Sequence, residues 1–216
     1  MIRISDNLYK LSKRLCPLFV VGGFVRESLL GLKSADIDLA GPHTVDELIS
    51  VLGQSCVVVK NKALNTAQIV FEGVTYEYST FRIEEYVGGK HNPKKVSFVS
   101  NVLTDARRRD FSCNAIYYDL SNGKTIDPYN GARDIKNKTI RMIENSLEFD
   151  GVRILRMIRL ALNLEFEIEP KTWAAAKKYS SNLDAISPAI KRVELRKINP
   201  QKLKQAEEML NRLVLE

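Results

Sequence analysis

Hydrophobic positions change their period several times along the chain, and each change marks an element. Leu8, Leu11 and Leu15 recur at helical spacing and predict an amphipathic helix within residues 1–15. Leu18 to Val21 is a short apolar run, read as a buried strand that Gly22-Gly23 interrupts. Phe24 to Leu30 predicts a short helix, with Gly31 as a left-handed stop. A second strand is predicted from Asp36 to Ala40, in which Asp36 and Asp38 share one face while Ile37 points into the core. Thr44 to Leu48 has the signature of a helix start, with Asp46 and Glu47 at its positive end. Strands follow at Cys56 to Val59, Thr66 to Phe71 and Val74 to Phe81, with Glu72-Gly73 turning between the last two.

Gly88 to Lys95 is polar, basic and rich in turn formers, so it predicts a loop. Asn122-Gly123, between apolar runs at Ile116 to Leu120 and Lys124 to Ile126, predicts a hairpin. From Glu148 to Leu164 the period is helical: Val152, Leu155, Ile158 and Leu162 share a face, and Arg153, Arg156 and Arg159 recur every third residue. Asp150 and Arg153 then fall on one side of that helix. Trp173, Ala174 to Ala176 and Tyr179 are read as core of a further helix, and Leu203, Leu210 and Leu213 or Val214 as an apolar stripe on the last one. Such a stripe calls for cover, by a further domain of the chain, by a partner chain or by a second copy.

Composition narrows the class. The 216 residues are 44% apolar and 27% charged, ordinary for a globular protein of one large domain or a domain with an appendage. No apolar run approaches the roughly 20 residues of a membrane span. The N-terminus lacks the layout of a signal peptide. Three well-separated cysteines, none at zinc-finger spacing, suit a reduced cytoplasm. A net charge of +7 favours a polyanionic partner. Basic residues gather at Lys90 to Lys95, Arg107 to Arg109, Arg153 to Arg159 and Lys191 to Lys204.

Chemistry concentrates between Val20 and Ala40. Two carboxylates on one strand face, Asp36 and Asp38, repel unless a cation lies between them, and oxygen donors suit Mg²⁺. Gly22 and Gly23 bring backbone N–H groups to a helix start, where phosphate binds, and Arg26 follows one turn later. Phosphate cradle and metal pair together are the equipment of phosphoryl transfer. Glu77, flanked by Thr75 and Ser79 on one strand face, is either a third acid of that set or a solvated strand carboxylate. His91 has no partner pattern for a metal role.

Gly22-Gly23-Phe24-Val25-Arg26, Leu29-Leu30-Gly31 and Asp36-Ile37-Asp38 resemble the signature of the class II tRNA nucleotidyltransferase and bacterial poly(A) polymerase family. Glu27 replaces the Asp usual after that Arg. Arg108-Arg109-Asp110-Phe111-Ser112-Cys113-Asn114-Ala115 resembles the family's second motif, with Ser112 for Thr. Asp150 and Arg153 resemble its Glu-Asp-x-x-Arg motif, with Phe149 in place of Glu. Glu194 to Ile198 matches the second half of its neck motif, while Ala189 and Ile190 depart from it.

The resemblance implies an α+β fold: a DNA polymerase β-like head over residues 1–140, its mixed or antiparallel sheet flanked by helices, then a small α-helical neck over 141–216. The family's body and tail domains are absent. It also implies the following roles. Asp36 and Asp38 hold Mg²⁺, with Glu77 as candidate third acid; Gly22, Gly23 and Arg26 hold the triphosphate. Arg109, Asp110 and Asn114 meet ribose and phosphates, and Asp150 and Arg153, with Arg156 on the same helix, read the base of ATP or CTP. The expected activity is addition of CMP and AMP to an RNA 3′ end, foremost the CCA end of tRNA. Poly(A) synthesis, modification of another target and a non-catalytic RNA-binding remnant are the alternatives. On the bland reading, Arg107 to Arg109 form a solvated helix face, and Asp150–Arg153 is an intrahelical pair contributing only about 0.3–0.5 kcal/mol.

Overall fold

The computed structural model describes residues 2–34, 36–87 and 93–215. His91 and the predicted loop residues Gly88 to Asn92 lie outside them, as does the side chain of Val214. The chain divides into two compact units, and these follow contacts rather than chain order. The first comprises Met1–Ile83, Val96–Arg108 and Cys113–Ala132; the second Glu84–Lys95, Arg109–Ser112 and Arg133–Glu216. The later border of the first unit falls at residue 132, and two short earlier segments belong to the second unit. The reason for one of them is backbone pairing: Ser112 donates to the Arg141 carbonyl at 3.0 Å and Ile143 to that of Asp110 at 3.1 Å.

The first unit opens with α1 (Asp6–Arg14), started by the Ser5 hydroxyl accepting from the Leu8 N–H. Leu8, Leu11 and Leu15 are buried, as their spacing predicts. There follow β1 (Phe19–Val21), α2 (Gly23–Leu29), β2 (Asp38–Gly41) and α3 (Val45–Leu52). Next come β3 (Val57–Asn61), β4 (Thr66–Phe71), β5 (Val74–Thr80), β6 (Arg82–Glu85), β7 (Lys95–Phe98) and α4 (Val102–Ala106). The hairpin of β8 (Tyr117–Asp119) and β9 (Thr125–Ile126) leads to α5 (Gly131–Lys136), whose first N–H groups are capped by the Asp127 carboxylate at 2.7 and 2.9 Å.

Seven strands form one mixed sheet in the order β3-β4-β5-β2-β1-β8-β9. Only β2 and β5 pair in parallel; the other neighbours are antiparallel. Glu72 and Gly73 both take positive φ, 47° and 77°, which closes the β4–β5 hairpin tightly. On one face Phe19, Val21, Ala40, Phe81, Ala106 and Tyr117 form a core cluster, with the Phe19 and Phe81 rings 5.4 Å apart and Tyr117 set edge-on to both. The alternate residues Val20, Leu39, Ala67, Ile69, Tyr76 and Tyr78 are buried on the other face.

The second unit pairs β10 (Thr139–Ile140) in parallel with β11 (Glu167–Ile168) beside α6 (Ser146–Phe149), α7 (Val152–Leu164), α8 (Pro170–Lys178), α9 (Pro188–Arg196) and α10 (Leu203–Leu215). The single helix predicted from Glu148 is two helices, broken where Asp150 becomes extended at φ −150° and ψ 115°. α7 is also buried more widely than one face predicts, since Ile154, Met157, Leu160 and Ala161 are covered together with Val152, Leu155 and Ile158. A helix buried on most of its sides is a central one, and α7 is the element that α9 and α10 pack upon. Of the residues read as core in α8, Ala176 is buried, whereas Ala174 is exposed and Trp173 and Tyr179 are half-buried. The stripe on α10 packs within its own chain: Leu213 is 2% exposed and Leu210 half-buried, with only Leu203 open at 39%.

Candidate nucleotide site

In the first unit, β2 starts at Asp38 rather than Asp36. Asp36 precedes the strand and is exposed, its carbonyl accepting from the Ser34 hydroxyl at 3.3 Å; Ile37 is half-buried rather than core. The strand is shorter because Asp36 has no ladder partner, whereas Asp38 is flanked by Val21 and Glu77. One transverse row of the sheet reads Gln68, Glu77, Asp38, Val21, Tyr117. Aligned residues share a face, so Asp38 and Glu77 are neighbours on the same side. The Glu77 Oε1 accepts from Gln68 Nε2 at 2.6 Å.

Gly22 lies against this row. Its φ is +79°, and a Cβ there would come within 3.3 Å of Asp38 Oδ2, so the position needs glycine both for conformation and for space. Arg26 is buried, its Nη1 donating to Asn114 Oδ1 and its Nη2 to Glu27 Oε1 at 3.1 Å. The guanidinium thus joins two sequence motifs, and the longer Glu27 keeps the carboxylate contact. Behind the second motif, Asp105 is fully buried. It accepts from Tyr117 Oη at 2.6 Å, Arg108 Nε at 2.7 Å and the Arg82 N–H at 3.0 Å. Nothing in the hydrophobic pattern singles out Asp105; its place at the end of a helix turn before three arginines was the available signal.

In the second unit, Asp110 is buried, with Oδ1 accepting from the Phe111 N–H at 2.8 Å and Oδ2 3.0 Å from Arg156 Nε. Asp150 caps α7: its Oδ1 accepts from the Val152 N–H at 2.9 Å and its carbonyl from the Arg153 N–H at 3.0 Å. It stands before the helix, not on its face, and the i to i+3 geometry gives way to a cap. Asp150 and Arg153 are both buried, at 6% and 5% exposure. Arg159 pairs with Glu194 of α9 at 2.8 Å, so the half of the neck motif that this chain matches ties α9 to α7. Each of these arginines of α7 has an acid near it, Arg153 with Glu84, Arg156 with Asp110 and Arg159 with Glu194.

Residues 18–141 match the family described as Poly A polymerase head domain. The chain belongs to that family. Among relatives of this family member, the CCA-adding enzyme of Streptococcus pyogenes is 34% identical over 183 residues, which are 83% of this chain and 45% of the relative. The crystal structure of the Bacillus stearothermophilus CCA-adding enzyme in complex with CTP is similar with a TM-score of 0.85 at 26% identity, over 96% of this chain and 51% of that one. The Thermotoga maritima CCA-adding enzyme complexed with tRNA-CCA gives a TM-score of 0.76 at 28% identity, over 97% of this chain and 52% of that one. The family member spans about half the length of these relatives. Among the described residues, no helix is long and apolar enough to cross a membrane.

The donors around Asp38 are carboxylate oxygens, hard ligands that fit a divalent cation completing its shell with water and phosphate oxygens. Among the described residues, no group of three or more His, Cys, Asp or Glu is gathered as a metal cage.

Proposed function

We propose that the chain is the catalytic portion of a template-independent RNA nucleotidyltransferase, adding CMP and AMP from CTP and ATP to an RNA 3′ end, foremost that of tRNA. The observation that carries the reading is the Asp38 carboxylate packed against Gly22, in a chain whose relatives include CCA-adding enzymes solved with CTP and with tRNA-CCA.

In this reading Asp36 and Asp38 hold Mg²⁺, which when bound lowers the pKa of the attacking hydroxyl and neutralises the leaving phosphates. Glu77 adds negative charge in the same row. The RNA 3′-hydroxyl oxygen attacks the α-phosphorus, and pyrophosphate leaves. Gly22 and Gly23 offer backbone N–H groups to the triphosphate, with Arg26, steadied by Asn114, behind them. Arg109 and Asp110 meet the sugar, where a carboxylate accepting from a 2′-hydroxyl selects ribose. Arg156 aims that carboxylate.

Asp150 and Arg153 read the base. Adenine and cytosine each present an exocyclic amino donor beside a ring acceptor, which one carboxylate and one guanidinium satisfy. Uracil and guanine reverse the pattern and leave both groups unpaired, a loss of about 1–3 kcal/mol for each. That one pair suits both CTP and ATP favours CCA-type addition over poly(A) synthesis.

The test is to incubate the purified protein with total RNA and all four nucleotides and to sequence the RNA 3′ ends. C and A residues on tRNA ends are expected. Runs of A on other RNAs would move the reading to poly(A) synthesis, and RNA binding without any addition would overturn it.

A further inference from the structure

Arg153 carries a charge whose side chain is only 6% exposed. A guanidinium stays ionised at any ordinary pH, so its burial demands acceptors and a counter-charge. Nη1 donates to the Ser146 carbonyl at 3.2 Å. Nη2 lies 4.0 Å from Glu84 Oε2, on a carboxylate that is itself 6% exposed. The same Glu84 oxygen accepts from the Tyr86 hydroxyl at 2.6 Å. The guanidinium carbon sits 5.6 Å from the centre of the Tyr86 ring, and the Phe149 ring stacks on Tyr86 at 6.0 Å with 19° between planes. Burial, and next the Glu84 charge, hold the Tyr86 hydroxyl well above its ordinary pKa, so it remains a donor throughout the working range.

Phe149 stands where the resembling family has Glu, and a phenyl ring cannot balance a cation. Here the ring buttresses Tyr86, and the carboxylate facing Arg153 is that of Glu84, far earlier in the chain. The two substitutions of role are complementary: an aromatic support from α6 and a charge from β6, meeting at one tyrosine.

We infer that Glu84 is the positioning residue for Arg153, fixing the guanidinium through its own charge and through Tyr86, and thereby sets the preference of the site for adenine and cytosine over guanine and uracil. The inference rests on the base-reading role given above to Asp150 and Arg153. A guanidinium presents its donors in a rigid fork, so a tilt misaligns the whole edge. Discrimination then falls more than affinity, because the wrong bases no longer meet a fixed pattern to violate.

Glu84→Gln keeps shape and removes charge. The ratio of kcat/KM for CTP and ATP to that for GTP and UTP should fall about tenfold. Tyr86→Phe keeps the ring and its stack, and should give a smaller loss in the same direction. The double variant should be no worse than Glu84→Gln alone, because both act through one oxygen. Should Glu84→Gln fail to fold, Tyr86→Phe carries the test. A second readout needs no nucleotide: the Arg153 side-chain N–H resonances, assigned with Arg153→Lys, should be ring-shifted and slow to exchange, and should move toward solvent-exposed values in Glu84→Gln. Unchanged resonances and unchanged discrimination in the folded variants would overturn the inference. A native protein indifferent to all four bases would remove the base-reading role instead, and the resonances would still decide whether Glu84 holds Arg153.

Discussion

The Tyr117 hydroxyl donates to the Asp105 carboxylate at 2.6 Å, tying the central sheet to the end of α4. The same carboxylate holds Arg108 and the backbone of Arg82, so three segments meet on one fully buried acid. Removing it takes this acceptor from a cation whose side chain is 11% exposed and from two further donors. Asp105→Ala should cost about 3–5 kcal/mol, and Tyr117→Phe, which leaves two donors in place, about 1 kcal/mol. Urea unfolding measures both; an Asp105→Ala protein as stable as the parent would show that the cluster is not a structural hub.

Asp38→Ala should abolish nucleotide addition while leaving RNA affinity equal or tighter, since a negative charge facing phosphates is lost. Single-turnover assays beside filter binding separate the two effects. Surviving turnover would take Asp38 out of the metal site.

Gly22→Ala should lose activity with it. The new methyl would meet Asp38 Oδ2 at 3.3 Å on a backbone held at φ +79°. About 1–3 kcal/mol of strain is expected there. A variant with native stability and native nucleotide affinity would argue that Gly22 is not a close approach.

Gly151→Ala tests the break between α6 and α7. A Cβ there would lie 2.4 Å from the Asn182 carbonyl oxygen, which is backbone and cannot swing aside. A loss of about 1–3 kcal/mol in thermal or urea unfolding follows; a neutral outcome would mean that the two segments are less closely set.

Thr44 and Glu47 cap α3 reciprocally, Thr44 N–H to Glu47 Oε2 at 2.7 Å and Glu47 N–H to Thr44 Oγ1 at 3.3 Å. The bond from the Thr44 backbone is the main cause lowering the Glu47 pKa. A depressed folded value means stabilisation that is complete above the unfolded pKa of about 4.3 and lost as pH falls through the folded value. The stability gap between the parent and Glu47→Gln should therefore hold at neutral pH and close in acid. Thr44→Ala should cost about 1 kcal/mol. A gap that widened in acid would reverse the assignment.

Local signals were legible in the chain. Glu72-Gly73 and Asn122-Gly123 marked their hairpins because turns depend on neighbouring residues alone, and Thr44 announced its helix for the same reason. Leu8, Leu11 and Leu15 predicted their buried face. What could not be read was set by distant contacts. The apolar period runs unbroken across Asp150, yet the helix breaks there, beside a Gly151 pressed on Asn182. Asp36 alternates with Asp38, but only Asp38 finds strands on both sides. Glu84 carries no pattern at all, and its role emerges only when Tyr86, Phe149 and Arg153 are brought to it. The pairing of Arg26 with Asn114, 88 residues later, likewise has no local signal.

The parallel alignment of Asp38 with Glu77 also fixes Leu39 beside Tyr78. A slip of one position between these strands would exchange the two faces of one of them, so that Asp38 would meet the layer built for Leu39 while Leu39 took the place beside Glu77, and the acid pair and the packing of both layers would be lost together. Damage to the register of this seam would therefore surface as lost protein before it surfaced as faulty chemistry.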